Sequence, residues 1–167
     1  MVRGLLKTQA QKCLLGDACL GAAVRICRWL VSAQVPWILE HPAGSRAWQR
    51  TEVLRLIGLP GAVLIDLDQC LWGAAWRKRT RLLCWGLDSF AVDGLRRLCR
   101  VPGGCARTGQ PHRQLSGRAA DGRPWTSIAS EYPRELANQM VKSLVAERIL
   151  RHADLIDDAG RCGGLPF

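Results

Sequence analysis

The sequence predicts an α/β domain in which helices flank a small sheet of about three to four strands. Three observations carry that expectation. Short apolar runs of strand length occur at 35–40, 62–70 and 82–87; stretches of helical spacing lie between and after them; and residues 101–124 are rich in Gly, Pro and Arg with little periodicity, which marks a basic loop insertion. At 167 residues the chain has the length of one ordinary domain with a core of its own.

Taken in order, CLGAAVRICRWLVSAQ places Ala22, Ile26, Leu30 and Val31 on one broad apolar arc, with Arg25 and Arg28 on the remaining face, so a helix runs to about Ser32. VPWILE then reads as a strand stopped by Pro42 and Gly44. Its end, WILEHP, raises a functional question. A carboxylate at the tip of an apolar strand can serve a ligand site at a sheet edge, or it can be a surface group opening a loop. In TEVLRLIGLPG a threonine cap at Thr51, an early Glu52 and a closing Gly58 followed by Pro60 frame a short helix. AVLIDLDQC is the next strand, with a continuous apolar start suited to burial on both faces. A bend at Gly73 and Ala74 leads through the basic connection RKRTR into LLCWGL, a further strand. SFAVDGLRRLCR is a short helix. In YPRELANQMVKSLVAERIL, Pro133 opens a long helix in which Leu136, Met140 and Leu144, with Val141 and Val145, form one apolar stripe. Residues 1–21 form an N-terminal, helical extension, 22–150 the domain, and 151–167 a tail that is loose from Asp157 onward.

The formal charge is +10, and its excess is concentrated. Between Leu71 and Trp125 stand eleven Lys and Arg residues against Asp88, Asp93 and Asp121. Such a local field attracts phosphates, although a basic face can also serve solubility alone. No apolar run approaches the roughly 20 residues of a membrane-spanning helix, and the N-terminus does not read as a secretory signal. The eight cysteines lie largely within apolar patterns, so they read as reduced, mostly buried thiols of an intracellular protein.

Three segments together resemble the second half of the DNA cytosine-5 methyltransferase family and its phage and mobile-element relatives. LEHP (39–42) resembles the family's strand-end Glu-Asn motif, with His41 in the asparagine's place. DQCLWGAAWRKRTRLLCWG (68–86) resembles its Tyr-Gly, Gln-x-Arg-x-Arg and apolar-strand pattern, with Trp72 for the tyrosine and Arg77 for the glutamine. ASEYPRELANQMVKSL (129–144) is similar to the helix that closes the family's sheet. The resemblance implies a partial Rossmann-like methyltransferase sheet, a base-holding carboxylate at Glu40, and two positioning guanidiniums at Arg79 and Arg81. It also implies S-adenosylmethionine as cofactor and DNA or RNA as partner; Arg77, Lys78, Arg107 and Arg113, within the basic third of the chain, are the expected nucleic-acid contacts. The sequence contains no Pro-Cys pair for the family's nucleophile, and no strand running into a Gly-rich turn precedes Ala22; Gly16 and Gly21 sit in helical pattern. The implied protein is therefore the substrate-side half only, inactive alone, with a second chain supplying the cofactor half.

A second chemistry is legible in Cys99-x5-Cys105-x6-His112, three zinc-type donors in a Gly-rich segment that a metal would order, with Cys70 or His152 as a fourth. The alternative is a buried thiol and two loop residues. With zinc, the basic insertion becomes a small nucleic-acid-binding lobe, and the chain a non-catalytic module on an old enzyme scaffold.

Overall fold

Side chains alternate along a strand, so the two faces of a sheet are chosen by residue parity, and that parity decides where each helix packs here. The structure, a computed structural model, describes the backbone of residues 2–161 and the side chains of residue 8 and residues 10–150. Its elements are α1 (Val2–Ser32), β1 (Trp37–Pro42), α2 (Thr51–Ile57), β2 (Ala62–Asp68), β3 (Arg79–Trp85), α3 (Ser89–Leu95), the single turn α4 (Trp125–Ile128) and α5 (Arg134–Arg161), with 3-10 turns at Arg46–Gln49 and Gln69–Trp72. The strands form one three-stranded sheet in the order β1-β3-β2, and both pairings are antiparallel. The fold is thus α/β, a small antiparallel sheet flanked by helices; a parallel pairing of the Rossmann type does not occur among these strands.

On one face, Trp37, Leu39, Leu83 and Trp85 pack against Val24 and Cys27 of α1, Val53 and Leu56 of α2, and Trp48. On the other, Ile38, Ile65, Leu67, Leu82 and Cys84 pack against Val92 and Leu95 of α3 and Leu136 of α5. Two tryptophans lock the first layer by donating to chain turns: Trp48 Nε1 to the Pro42 carbonyl at 2.9 Å and Trp85 Nε1 to the Pro60 carbonyl at 2.9 Å. Each such bond satisfies a buried donor that would otherwise cost about 1–3 kcal/mol.

Several details differ from the sequence expectation. α1 turns Leu20, Val24, Cys27 and Val31 inward, leaving Ile26 exposed, because the inward face follows that three-four spacing. Thr51 lies inside α2; the N-cap is Arg50, with no side-chain cap bond. The basic connection is shorter than expected, since Arg79 and Arg81 already belong to β3. Leu64 of β2 is 36 % exposed, so only the latter part of that strand is buried on both sides. On α5, Leu136 and Met140 meet the core together with buried Ser143, whereas Val141 and Val145 face outward on the far side of the helix. α5 continues to Arg161, through residues expected to be loose; 162–167 lie outside the described residues. Of the described cysteines, Cys27, Cys70, Cys84, Cys99 and Cys105 are buried and Cys13 and Cys19 exposed.

The chain leaves α1 through Gln34, which has φ 54°, the left-handed conformation that favours glycine. The amides of Gln34 and Val35 bond back to the Val31 and Leu30 carbonyls and close the helix end. Gln34→Gly is expected to raise stability by about 0.5–1 kcal/mol, measured as a shift of the urea midpoint at unchanged slope.

Candidate metal centre

The centre is assembled where β2 ends. β2 and β3 carry acids and arginines with matching period-two spacing: Asp66 faces Arg81 and Asp68 faces Arg79 across the hairpin. Both pairs are bidentate, Arg81 Nε and Nη2 donating to Asp66 at 2.6 and 3.0 Å, Arg79 Nε and Nη2 to Asp68 at 3.1 and 3.1 Å. The Asp68 side chain is fully buried and accepts two further bonds, from Arg77 Nε at 3.2 Å and from the Cys99 amide at 2.9 Å. Burial raises its pKa, but the Arg79 hydrogen bond, the Cys99 amide and the charges of Arg79 and Arg77 outweigh that and hold it below the usual aspartate value. The Asp68 amide in turn donates to the Arg97 carbonyl at 2.8 Å. Residues 96–99, expected to prolong the preceding helix, are instead drawn out of it beside the strand end, and α3 stops at Leu95.

That anchoring sets the donors. Cys70 sits in the 3-10 turn directly after β2, held because Gln69 is bonded to the segment leading into β3 by backbone and side chain: its amide donates to the Lys78 carbonyl, its Nε2 donates to Thr80 Oγ1, and its Oε1 accepts from Trp76 Nε1. Gly73, at φ 101°, ends the turn. Cys99 is positioned by Asp68. Cys105 opens a tight loop in which the Gly109 and Thr108 amides donate to its carbonyl and its own amide to Gln110. Gly104 is required there, because a Cβ would lie 2.8 Å from the Gly109 carbonyl oxygen. His112 is held beside it by the Arg113 amide, which donates to the Ala75 carbonyl, and by the Arg113 guanidinium stacked 4.5 Å from the Trp125 ring.

The result brings Cys70, Cys99, Cys105 and His112 together, with their donor atoms all within 4.8 Å of one another. His112 Nε2 lies 3.6 Å from Cys99 Sγ. Tetrahedral zinc with Zn–S bonds of about 2.3 Å separates its sulfurs by about 3.8 Å, so the cluster can close on such an ion with small side-chain adjustments. At Cys105 the surroundings favour thiolate. Burial raises the Cys105 thiol, but the amides of Arg107 and Thr108 and the His112 ring bring it down to about 6. Cys70 moves the other way, raised by burial and by its two sulfur neighbours. A divalent cation at their centre would relieve that clustering of ionised sulfur. The Ala106 amide donates to Cys99 Sγ at 3.3 Å, and Arg107 Nε to the Cys70 carbonyl at 2.8 Å, which braces the ligands from outside. The expected trio is thus joined by Cys70; the side chain of His152 lies outside those described.

The residues expected to grip a base are not brought together. Glu40 pairs with Leu82, and His41 with Arg81, so Glu40 and the two arginines project from opposite faces of the sheet. Arg79 and Arg81 are engaged by Asp68 and Asp66. Glu40 instead lies against Tyr132, whose phenol is pushed up by burial and by that carboxylate. The four expected nucleic-acid contacts all surround the metal-side lobe, and each has an internal partner: Arg77 on Asp68, Lys78 on the Ala129 carbonyl, Arg107 on Cys70 and Arg113 on Trp125. Among the described residues, Arg77 and Arg107 bond through Nε alone, whereas Arg79 and Arg81 commit Nε and Nη2. No family model, curated protein or solved structure matches this chain. No helix among the described residues is long and apolar enough to cross a membrane.

Asp68→Asn is expected to cost about 2–4 kcal/mol at neutral pH, because the carboxylate's charge-assisted bonds are lost inside the protein. Since the folded pKa is depressed, the stabilisation is complete above the unfolded value of about 3.9 and is lost as pH falls through the folded one. Urea unfolding of both proteins across acid pH checks this: the gap between them should narrow only below about pH 4.

Proposed function

We propose that this chain is a zinc-stabilised nucleic-acid-binding module. The observation that carries the reading is that a Cys3His donor set and the arginine-rich insertion are one structure: Cys99, Cys105 and His112 alternate along the chain with Arg97, Arg100, Arg107 and Arg113. Zinc would fix a Gly-rich loop that has little regular structure of its own, and with it the arginines. The guanidiniums of Arg77 and Arg107, bonded through Nε alone, keep further donors for phosphate.

A second reading follows the family resemblance. The three segments that carry it pack together, β1 beside β3 and Tyr132 against Glu40, and Glu40 Oε1 is buried without a hydrogen-bond partner. That supports kinship with the substrate-side half of a cytosine-5 methyltransferase, in which Glu40 meets the base and another chain contributes the S-adenosylmethionine half. The separation of Arg79 and Arg81 from Glu40 favours the binding module over this reading. Labelled S-adenosylmethionine, with and without DNA, distinguishes them: saturable binding by this chain would reverse the preference.

The purified protein is expected to carry one zinc per chain, to lose it on Cys105→Ser or His112→Ala, and to melt at lower temperature after chelation; elemental analysis and calorimetry report both. Filter binding to duplex DNA across salt should give a log–log slope of roughly −4.5 for contact with about five phosphates, and Arg107→Ala should reduce its magnitude by about 0.9. A flat salt response would remove nucleic acid from the proposal.

A further inference from the structure

On the opposite side of the sheet from α3 and α5, a cleft of about 510 Å³ opens between α1 and α2. Its floor is apolar: Val24 and Leu56 belong to the core, and Leu20, Val31 and Leu59 pack against them while remaining partly accessible. Its rim is cationic. Arg25, Arg28, Arg50 and Arg55 face Asp17 and Glu52 there, and Asp17 is engaged by Arg50 at 3.0 Å, so three arginines stand against one remaining carboxylate. Arg25 folds back along α1, its Nη1 3.6 Å from where a Cβ on Gly21 would stand, which brings a guanidinium over a point of the helix that has no side chain.

We propose that this cleft binds a small amphiphilic carboxylate of the fatty-acid type. The volume falls in the range of small-molecule pockets, about 300–1,000 Å³. An aliphatic floor accepts an acyl chain through burial alone, and planar guanidiniums at its edge match a carboxylate in charge and geometry. Nucleic acid fits less well, because among the described residues the lining contains no aromatic ring on which a base could stack. None of the residues used here belongs to the metal centre or to the basic insertion, so the proposal stands apart from the nucleic-acid reading.

Titration of the full chain with a dansyl-labelled undecanoic acid tests it, using lauric acid and dodecanol as competitors. Lauric acid should displace the probe saturably, and dodecanol should do so at least about tenfold less well, a difference of about 1.4 kcal/mol. Gly21→Leu should abolish binding by filling the cleft; its Cβ meets only ordinary contact, so the circular dichroism spectrum should be unchanged. The double variant Arg25→Gln, Arg28→Gln should weaken lauric acid at least about tenfold and leave dodecanol unaffected. Absence of saturable displacement, equal competition by the alcohol, or unchanged lauric acid affinity in the double variant overturns the proposal. Should Gly21→Leu fail to fold, the double variant decides alone.

Discussion

The buried carboxylate of Asp68 is the group on which the rest of the structure depends. It terminates β2, fixes Arg79 on the neighbouring strand and Arg77 just before it, and accepts the amide of Cys99 from a segment far along the chain. A charge in an apolar interior is stable only when its lone pairs are met, and here they are met by two cations and a backbone donor. The requirement of satisfying one acid therefore joins the sheet to the loop that carries Cys99, Cys105 and His112, the candidate metal donors. The cation partners remain nearly half exposed. The pair thus keeps much of its hydration on the arginine side, where desolvation would be most costly.

Parity divides the molecule into two sides with different chemistry. The α1–α2 side is a layer of tryptophans and aliphatic residues fringed by arginines, including those of β3. The α3–α5 side holds the second core and Glu40. A one-residue slip of β1 against β3 would exchange the environments of Glu40 and His41 and bring Ile38 and Leu39 to the wrong cores. The stacked rings of Trp37 and Trp85, paired at the strand ends, oppose such a slip.

Much of this was legible in the sequence, where local pattern and outcome coincide. The three strands, the short helix after Arg50, the loop over 101–124 and the long closing helix all follow from periodicity and from Gly and Pro punctuation. Part of the Cys3His cluster was legible for a different reason: Cys99, Cys105 and His112 stand close together in a segment with little periodicity of its own, and such donors could hold a metal. What escaped was relational. The spacing of Asp66 and Asp68 equals that of Arg79 and Arg81, a cross-strand signal that becomes readable only once the two runs are taken as a hairpin in register. Glu40 was misplaced relative to the arginines for the same reason, because the face on which a strand residue emerges depends on its partner. The inward side of α1 could not be chosen from composition, since Ile26 and Val24 are equally apolar and only the position of the sheet separates them.

The strand order has a consequence for how the chain comes into being. β3 is central in the sheet and last of the three in sequence, so β1 has no neighbour to bond until Trp85 has left the ribosome. The hairpin of β2 and β3 closes a short loop, whereas seating β1 means closing one several times longer, a step that local contacts must precede. During that interval the nascent WILEHP segment exposes its backbone donors and acceptors. Its terminal proline and neighbouring charge limit what else can zip onto them.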